Sequence, residues 1–120
     1  MAYISHIDRI RGHQLMPQSL EDSIPRLYST DGQGSQVIVR AKFFTPSSSW
    51  TWYVTEYDPD SHICFGWVVN SAAPECAELG EFSLDELDQV RGPFGLPVER
   101  DLTFKPVPLA VVMASHRSAA

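Results

Sequence analysis

The chain has 120 residues, of which 43% are hydrophobic and 20% charged, with a formal charge of −6; this composition suits one folded domain with a real core and excludes a disordered or fibrous chain. Two cysteines, Cys64 and Cys76, are too few for a disulfide framework and fit a reducing compartment. The opening "MAYISHIDRIRGHQL" lacks the apolar run of a signal peptide and no stretch is apolar enough to span a bilayer, so a soluble cytoplasmic protein without a membrane partner is expected.

In chain order, residues 1–16 read as an N-terminal arm or short helix, with Ile4, Ile7 and Ile10 at three-residue spacing. Residues 17–110 read as the domain proper. Pro17 suits the first turn of a helix through "PQSLEDSI", which Pro25 stops, and "STDGQGS" is a loop. From Gln36 the period becomes two. In "QVIVRAKFF" Val37, Val39, Ala41 and Phe43 share one face; in "WTWYVTEY" Trp50, Trp52, Val54 and Glu56 share one and Thr51, Tyr53, Thr55 and Tyr57 the other. "DPDS" turns the chain into "HICFGWVV", completing an antiparallel meander in which the aromatic residues are chiefly core.

After the loop "NSAAPECA", "ELGEF" is a short edge strand, and Ser83 opens the capping box "SLDE" of a second helix that ends before Gly92 and Pro93. "VERDLTF" alternates Val98, Arg100, Leu102 and Phe104 as a last strand, and residues 111–120 are expected to form a C-terminal tail, frayed through "ASHRSAA". The fold predicted is α+β, an antiparallel sheet of four to five strands with two short helices packed against it; a partly closed barrel is the alternative.

Charge is unevenly placed. Between Lys42 and Arg91 there is no cation, while nine acids occur, among them Glu78, Glu81, Asp85 and Asp88. Convergence of these four would make an acidic face that repels nucleic acid and attracts a basic protein partner; scattered, they would be an ordinary solvated surface. No direct nucleic-acid binding is expected.

The segments "LYSTDGQGS", "VRAKFFTP", "WTWYVTEYD", "FGWV", "ELGEFSLDEL" and "GLPVERDLTFKPVPL" together resemble a family of small uncharacterised proteins carried by bacterial plasmids, integrative elements and phages, over Met16 to Leu109. The resemblance implies a setting, an accessory protein of mobile DNA in the bacterial cytoplasm; engaging a host or element-encoded protein through its acidic side, it would blunt a defence or modulate element transfer, the alternative being a small ligand-binding or enzymatic domain. The resemblance implies no activity. On the family pattern Lys42, Phe43, Trp52, Tyr53, Glu56, Gly66, Glu86, Arg100 and Asp101 occupy motif positions.

Several of these are polar residues in apolar segments and suggest a cleft for a ligand or partner, formed by Lys42, Trp52, Tyr53, Glu56, Arg100 and Asp101. An Arg100–Glu56 pair beside the Trp52 ring would suit a planar or charged ligand, or would be a structural ion pair joining the last strand to the meander. Other chemistry is weakly signalled. Asp58, Asp60, His62 and Cys64 alternate through a hairpin turn without a metal-ligand spacing, so no metal is expected. A nucleophile pairing Cys64 or Cys76 with His13, His62 or His116 has no activating context, and "GQG" lacks the lysine of a phosphate loop. No cofactor and no catalytic residue are assigned; the oligomeric state is left open.

Overall fold

The computed structural model describes residues 2–118. Four helices, α1 (Asp8–Arg11), α2 (Gln18–Ser23), α3 (Leu84–Gln89) and α4 (Leu109–Ser118), accompany seven strands: β1 (Ile38–Val39), β2 (Ala41–Phe44), β3 (Trp50–Asp58), β4 (Ile63–Asn70), β5 (Glu78–Ser83), β6 (Glu99–Arg100) and β7 (Val107–Pro108). Five strands form an antiparallel sheet in the order β5-β4-β3-β2-β6, and β1 pairs with β7 in a second, two-stranded sheet. The fold is α+β, and among the described residues the five-stranded sheet stays open, with β5 and β6 as its edges.

Successive residues of a strand point to opposite faces, and the large sheet buries both. On one face Leu15, Met16, Ile24, Phe43, Val54, Tyr57, Leu84 and Leu87 form a core beneath the N-terminal segment, α2 and α3. On the other, Val37, Val39, Tyr53, Trp67, Val69, Leu109 and Val112 form a second core beneath α4. This explains why "WTWYVTEY" is rich in rings on both of its faces.

Two irregularities decide which side chain enters which core. The register of β3 on β4 runs Val54↔Gly66 and then Glu56↔Phe65, so Thr55 is an extra residue, a β-bulge, and its hydroxyl donates to the Phe65 carbonyl at 3.1 Å. Tyr57 thereby joins Val54 in the first core, and Glu56 is carried to the other face, correcting the expectation that Glu56 lies beside Trp52. The second irregularity is at Arg40, which separates β1 from β2 while its N–H reaches the Val54 carbonyl at 2.8 Å. Val37 and Val39 enter the second core, Ala41 and Phe43 the first; a single regular strand would have kept all four together.

The chain ends differ from expectation. Residues 109–118 form α4 rather than a frayed tail, because Leu109, Val112, Met113 and His116 recur at helical spacing and have Tyr53 and Trp67 to cover; Ala119 and Ala120 lie outside the described residues. The last strand of the large sheet is only Glu99–Arg100: Asp101 ends it by turning its carboxylate onto the backbone N–H of Thr103 at 2.9 Å. At the N-terminus Ile7 is buried but Ile4 and Ile10 are exposed. Arg11 is buried instead, donating to Asp8 at 2.7 Å and to Asp88 at 2.9 Å, and Tyr3 hydrogen-bonds Asp85 at 2.8 Å. The N-terminal segment is thus tied to α3 as part of the fold.

Candidate functional site

A cleft of about 680 Å³ opens on the α4 side of the sheet, with Lys42, Thr51, Tyr53, Asp101 and His116 in its walls. Four elements build it. Lys42 on β2 lies directly across from Tyr53 on β3, and the Asp101 N–H donates to the Lys42 carbonyl at 2.9 Å, which sets their side chains next to each other. Lys42 Nζ sits 3.7 Å from Asp101 Oδ2 and 5.9 Å from the centre of the Tyr53 ring, within cation–π range. From α4, His116 Nε2 meets the Tyr53 hydroxyl at 2.7 Å.

The protonation states follow from burial. The Tyr53 phenol is pushed up to about 12, by burial first and then by the charge of Asp101, so it stays protonated. Burial and the nearby Lys42 lower the His116 pKa, so its ring is neutral at neutral pH. The phenol donates to Nε2 when the ring proton is on Nδ1 and accepts from the Nε2–H in the other tautomer, so in either case the pair keeps one N–H or O–H donor. The Asp101 carboxyl is held low by the Thr103 hydroxyl, which donates to it at 2.8 Å, then by the Thr103 N–H and by Lys42. The cleft therefore offers the Lys42 ammonium and one donor of the Tyr53–His116 pair, with one carboxylate already largely satisfied.

Of the six residues expected to share a cleft, Lys42, Tyr53, Arg100 and Asp101 line this one, whereas Trp52 and Glu56 do not. Arg100 contributes from the rim. Its register partner is Phe43, which belongs to the opposite core, and its Nε donates to the Gln14 carbonyl at 3.2 Å. The expected Arg100–Glu56 pair does not form. Glu56 is buried, and its carboxylate accepts from the backbone N–H groups of Tyr28 at 2.8 Å and Thr30 at 2.9 Å and from the Thr30 hydroxyl. It clasps the loop before β1, satisfying a buried charge with backbone donors where no cation is at hand. Trp52 lies on the other face, half-buried, its ring stacked on Trp50 with centroids 6.2 Å apart.

His13 and His116 are site residues that sequence reasoning weighed only as partners for a cysteine. His13 Nε2 accepts the Arg100 N–H at 2.9 Å, and burial followed by the Arg100 charge lowers its pKa, which keeps it an acceptor. The signal for His116 was present in the i, i+3, i+4, i+7 pattern from Leu109. Cys64 is fully buried and burial drives its thiol pKa up, away from nucleophilic use.

The expected acidic face does not assemble as one surface. Glu78 and Glu81 are exposed on β5, but three residues apart on a strand they point to opposite sides. Asp85 accepts from Tyr3 and lies 3.0 Å from His62 Nδ1. Asp88 is only 4% exposed, its carboxylate taken by Arg11 and by the Ser5 hydroxyl at 2.7 Å. Its charge belongs to the interior of the fold and offers nothing to a partner.

A family model covers residues 16–119, nearly the whole described chain. The chain belongs to the family described as protein of unknown function (DUF2958). No curated protein and no solved structure matches it. The DUF2958 match starts at Met16 and so takes in all five strands of the large sheet, the cleft residues Lys42, Tyr53, Asp101 and His116, and α4, but not α1 or Arg11. Among the described residues no three His, Cys, Asp or Glu side chains converge to hold a metal ion, and no helix is long and apolar enough to cross a membrane.

Proposed function

We propose that this chain is a small-molecule-binding domain whose ligand presents an oxyanion, a carboxylate or phosphate group, to the cleft between β2, β3 and α4. The observation that carries the reading is the Tyr53–His116 hydrogen bond at 2.7 Å. In either tautomer one donor of the pair, the Nδ1–H or the phenol O–H, is left over, beside a Lys42 ammonium whose salt-bridge partner Asp101 stands 3.7 Å away. An ammonium with N–H groups beyond its Asp101 contact and one further donor, in a concave and partly desolvated site, match an anionic acceptor. The reading is one of binding, and no bond-making step is assigned.

The test is titration of the isotope-labelled protein with citrate and with inorganic phosphate, followed by backbone amide shifts in NMR. Shifts centred on β2, β3 and α4 are expected, and Lys42→Met should weaken the tightest of these interactions roughly tenfold, the effect of losing one charge-assisted hydrogen bond. Binding that is indifferent to Lys42→Met would remove the reading.

A second reading rests on the open edge of the large sheet. Among the described residues β5 pairs only with β4, and Glu75, Glu78 and Glu81 are exposed in and beside it, with Leu79 half-exposed between them. Edge carboxylates guard against pairing with further copies of the same chain and favour a basic extended segment. Together with the resemblance to proteins of plasmids, integrative elements and phages, this supports an accessory protein of mobile DNA in the bacterial cytoplasm that engages a basic host or element-encoded protein. A synthetic peptide alternating lysine with valine is expected to bind at about 50 mM salt and to be released as salt screens the charges. The Glu78→Lys/Glu81→Lys variant should lose it; equal retention by that variant excludes the edge.

A further inference from the structure

α4 covers the second core only in part. Met113 is partly buried against that core, and on the β4 side of the helix a cavity of about 420 Å³ remains, with Trp67, Pro74, Ala77 and Met113 as its apolar wall. Local sequence shapes this wall. Pro74 opens a single 3₁₀ turn, Pro74–Cys76, that carries the chain from β4 back toward β5, and Ala77 after it presents only a methyl group to the cavity. On the helix, Met113, His116 and Arg117 share one side, because residues three and four apart are neighbours there. The His116 ring stands edge-on to Trp67, with centroids 5.3 Å apart, and belongs to the walls of both this cavity and the oxyanion cleft.

Two charged side chains complete the wall, Glu75 and Arg117. Both are exposed, and among the described residues neither forms an ion pair, with the other or with a third group. The volume is that of a small-ligand site. Two ring systems and a thioether favour a flat aromatic guest, which gains edge-to-face and sulfur contacts that an aliphatic chain cannot make. A carboxylate and a guanidinium at one rim, unpaired with each other, match a guest that carries an ammonium and a carboxylate group together. A simple acid would satisfy Arg117 and be repelled by Glu75, and a simple amine the reverse.

We infer that this cavity binds a free aromatic α-amino acid, its ring against Trp67 and Met113, its ammonium group on Glu75 and its carboxylate on Arg117. The site is separate from the oxyanion cleft, and the inference does not depend on the reading of that cleft.

Titration of the isotope-labelled full chain with L-phenylalanine, followed by backbone amide shifts in NMR, tests it, with phenethylamine and 3-phenylpropionate run in parallel. Saturable shifts centred on the Pro74–Cys76 turn, Trp67 and Met113 are expected, and each analogue, lacking one of the two charges, should bind several-fold more weakly, the effect of losing one exposed charged contact. Two variants separate the contacts. Arg117→Gln should weaken phenylalanine several-fold and leave phenethylamine unchanged; Glu75→Gln should weaken phenylalanine similarly and leave 3-phenylpropionate unchanged. Both positions are exposed, so neither change threatens the fold. Lys42→Met, in the oxyanion cleft, should bind phenylalanine as the parent does. Shifts that centre on β2 and are lost in Lys42→Met would place the amino acid in the cleft and overturn the inference. Absence of saturable shifts overturns it too, as does equal binding of phenylalanine and its two analogues, or phenylalanine binding that ignores both Arg117→Gln and Glu75→Gln.

Discussion

Gly66→Ala should prevent the large sheet from forming, lowering stability by more than about 4 kcal/mol or leaving the chain unfolded. A Cβ built on Gly66 would stand 1.7 Å from the Tyr53 carbonyl oxygen and 2.8 Å from its carbonyl carbon. Both obstructing atoms are backbone of the neighbouring strand, so no rotamer change relieves the clash; β3 and β4 would have to separate at the centre of the sheet. The site is where the bulge brings the two backbones together, since Gly66 pairs with Val54 immediately before the register shifts. Gly80, its partner on β5, is the control, because a Cβ there meets nothing within 4 Å. Urea denaturation followed by circular dichroism should show Gly80→Ala within about 1 kcal/mol of the parent. A folded Gly66→Ala of near-parental stability would mean that β3 and β4 do not approach as described.

Arg11→Met should cost about 3–5 kcal/mol, the loss seen when one partner of a buried ion pair is removed. The Arg11 side chain is fully buried, with Nη1 on Asp8 at 2.7 Å and Nη2 on Asp88, itself 6% exposed at the side chain, at 2.9 Å. Nε donates to the Val98 carbonyl. Without the guanidinium the Asp88 carboxylate keeps only the Ser5 hydroxyl and the Gln89 amide, at 2.7 and 3.2 Å, as donors in a desolvated place. Removing both charges, as Arg11→Met/Asp88→Leu, should regain most of the loss, because the penalty lies in the orphaned charge. Denaturant midpoints of the single and double variants decide it: a double variant no more stable than Arg11→Met shows that the fold needs the pair itself. A domain stable by 5–15 kcal/mol in general has little room for such a loss, so the experiment also measures how far α1, which lies outside the DUF2958 match, holds down the first core.

The clasp at Glu56 and the ion pair at Arg11 solve one problem in two ways. Each buries a carboxylate, one surrounded by loop N–H groups and the other by a guanidinium.

Much of the architecture was legible in local sequence. Alternation at period two from Gln36, the turn residues of "DPDS" and the edge strand "ELGEF" marked β2 to β5 and the meander of the first three, since side-chain period and turn chemistry are local properties, whereas the place of β5 and β6 in the sheet was not marked. The capping box at Ser83 marked α3, and the Ser83 hydroxyl accepts the Glu86 N–H at 3.2 Å. Lys42, Tyr53, Arg100 and Asp101, read from the sequence as polar groups in apolar segments, all line one cleft. Tertiary structure alone decided what each side chain faces. A single extra residue at Thr55 reversed the alternation of β3 and sent Glu56 to the opposite side from Trp52, and a bulge of this kind has no sequence mark that period counting can see. The kink at Arg40 divided one apolar face between two cores for the same reason. Likewise α4, marked only by spacing, is held by the rings of Tyr53 and Trp67 more than 40 residues earlier in the chain, and the burial of Asp88 depends on Arg11 at a separation of 77 residues. Sequence patterning determined which elements form; long-range packing of their two faces determined which charges became structural and which were left open to a ligand.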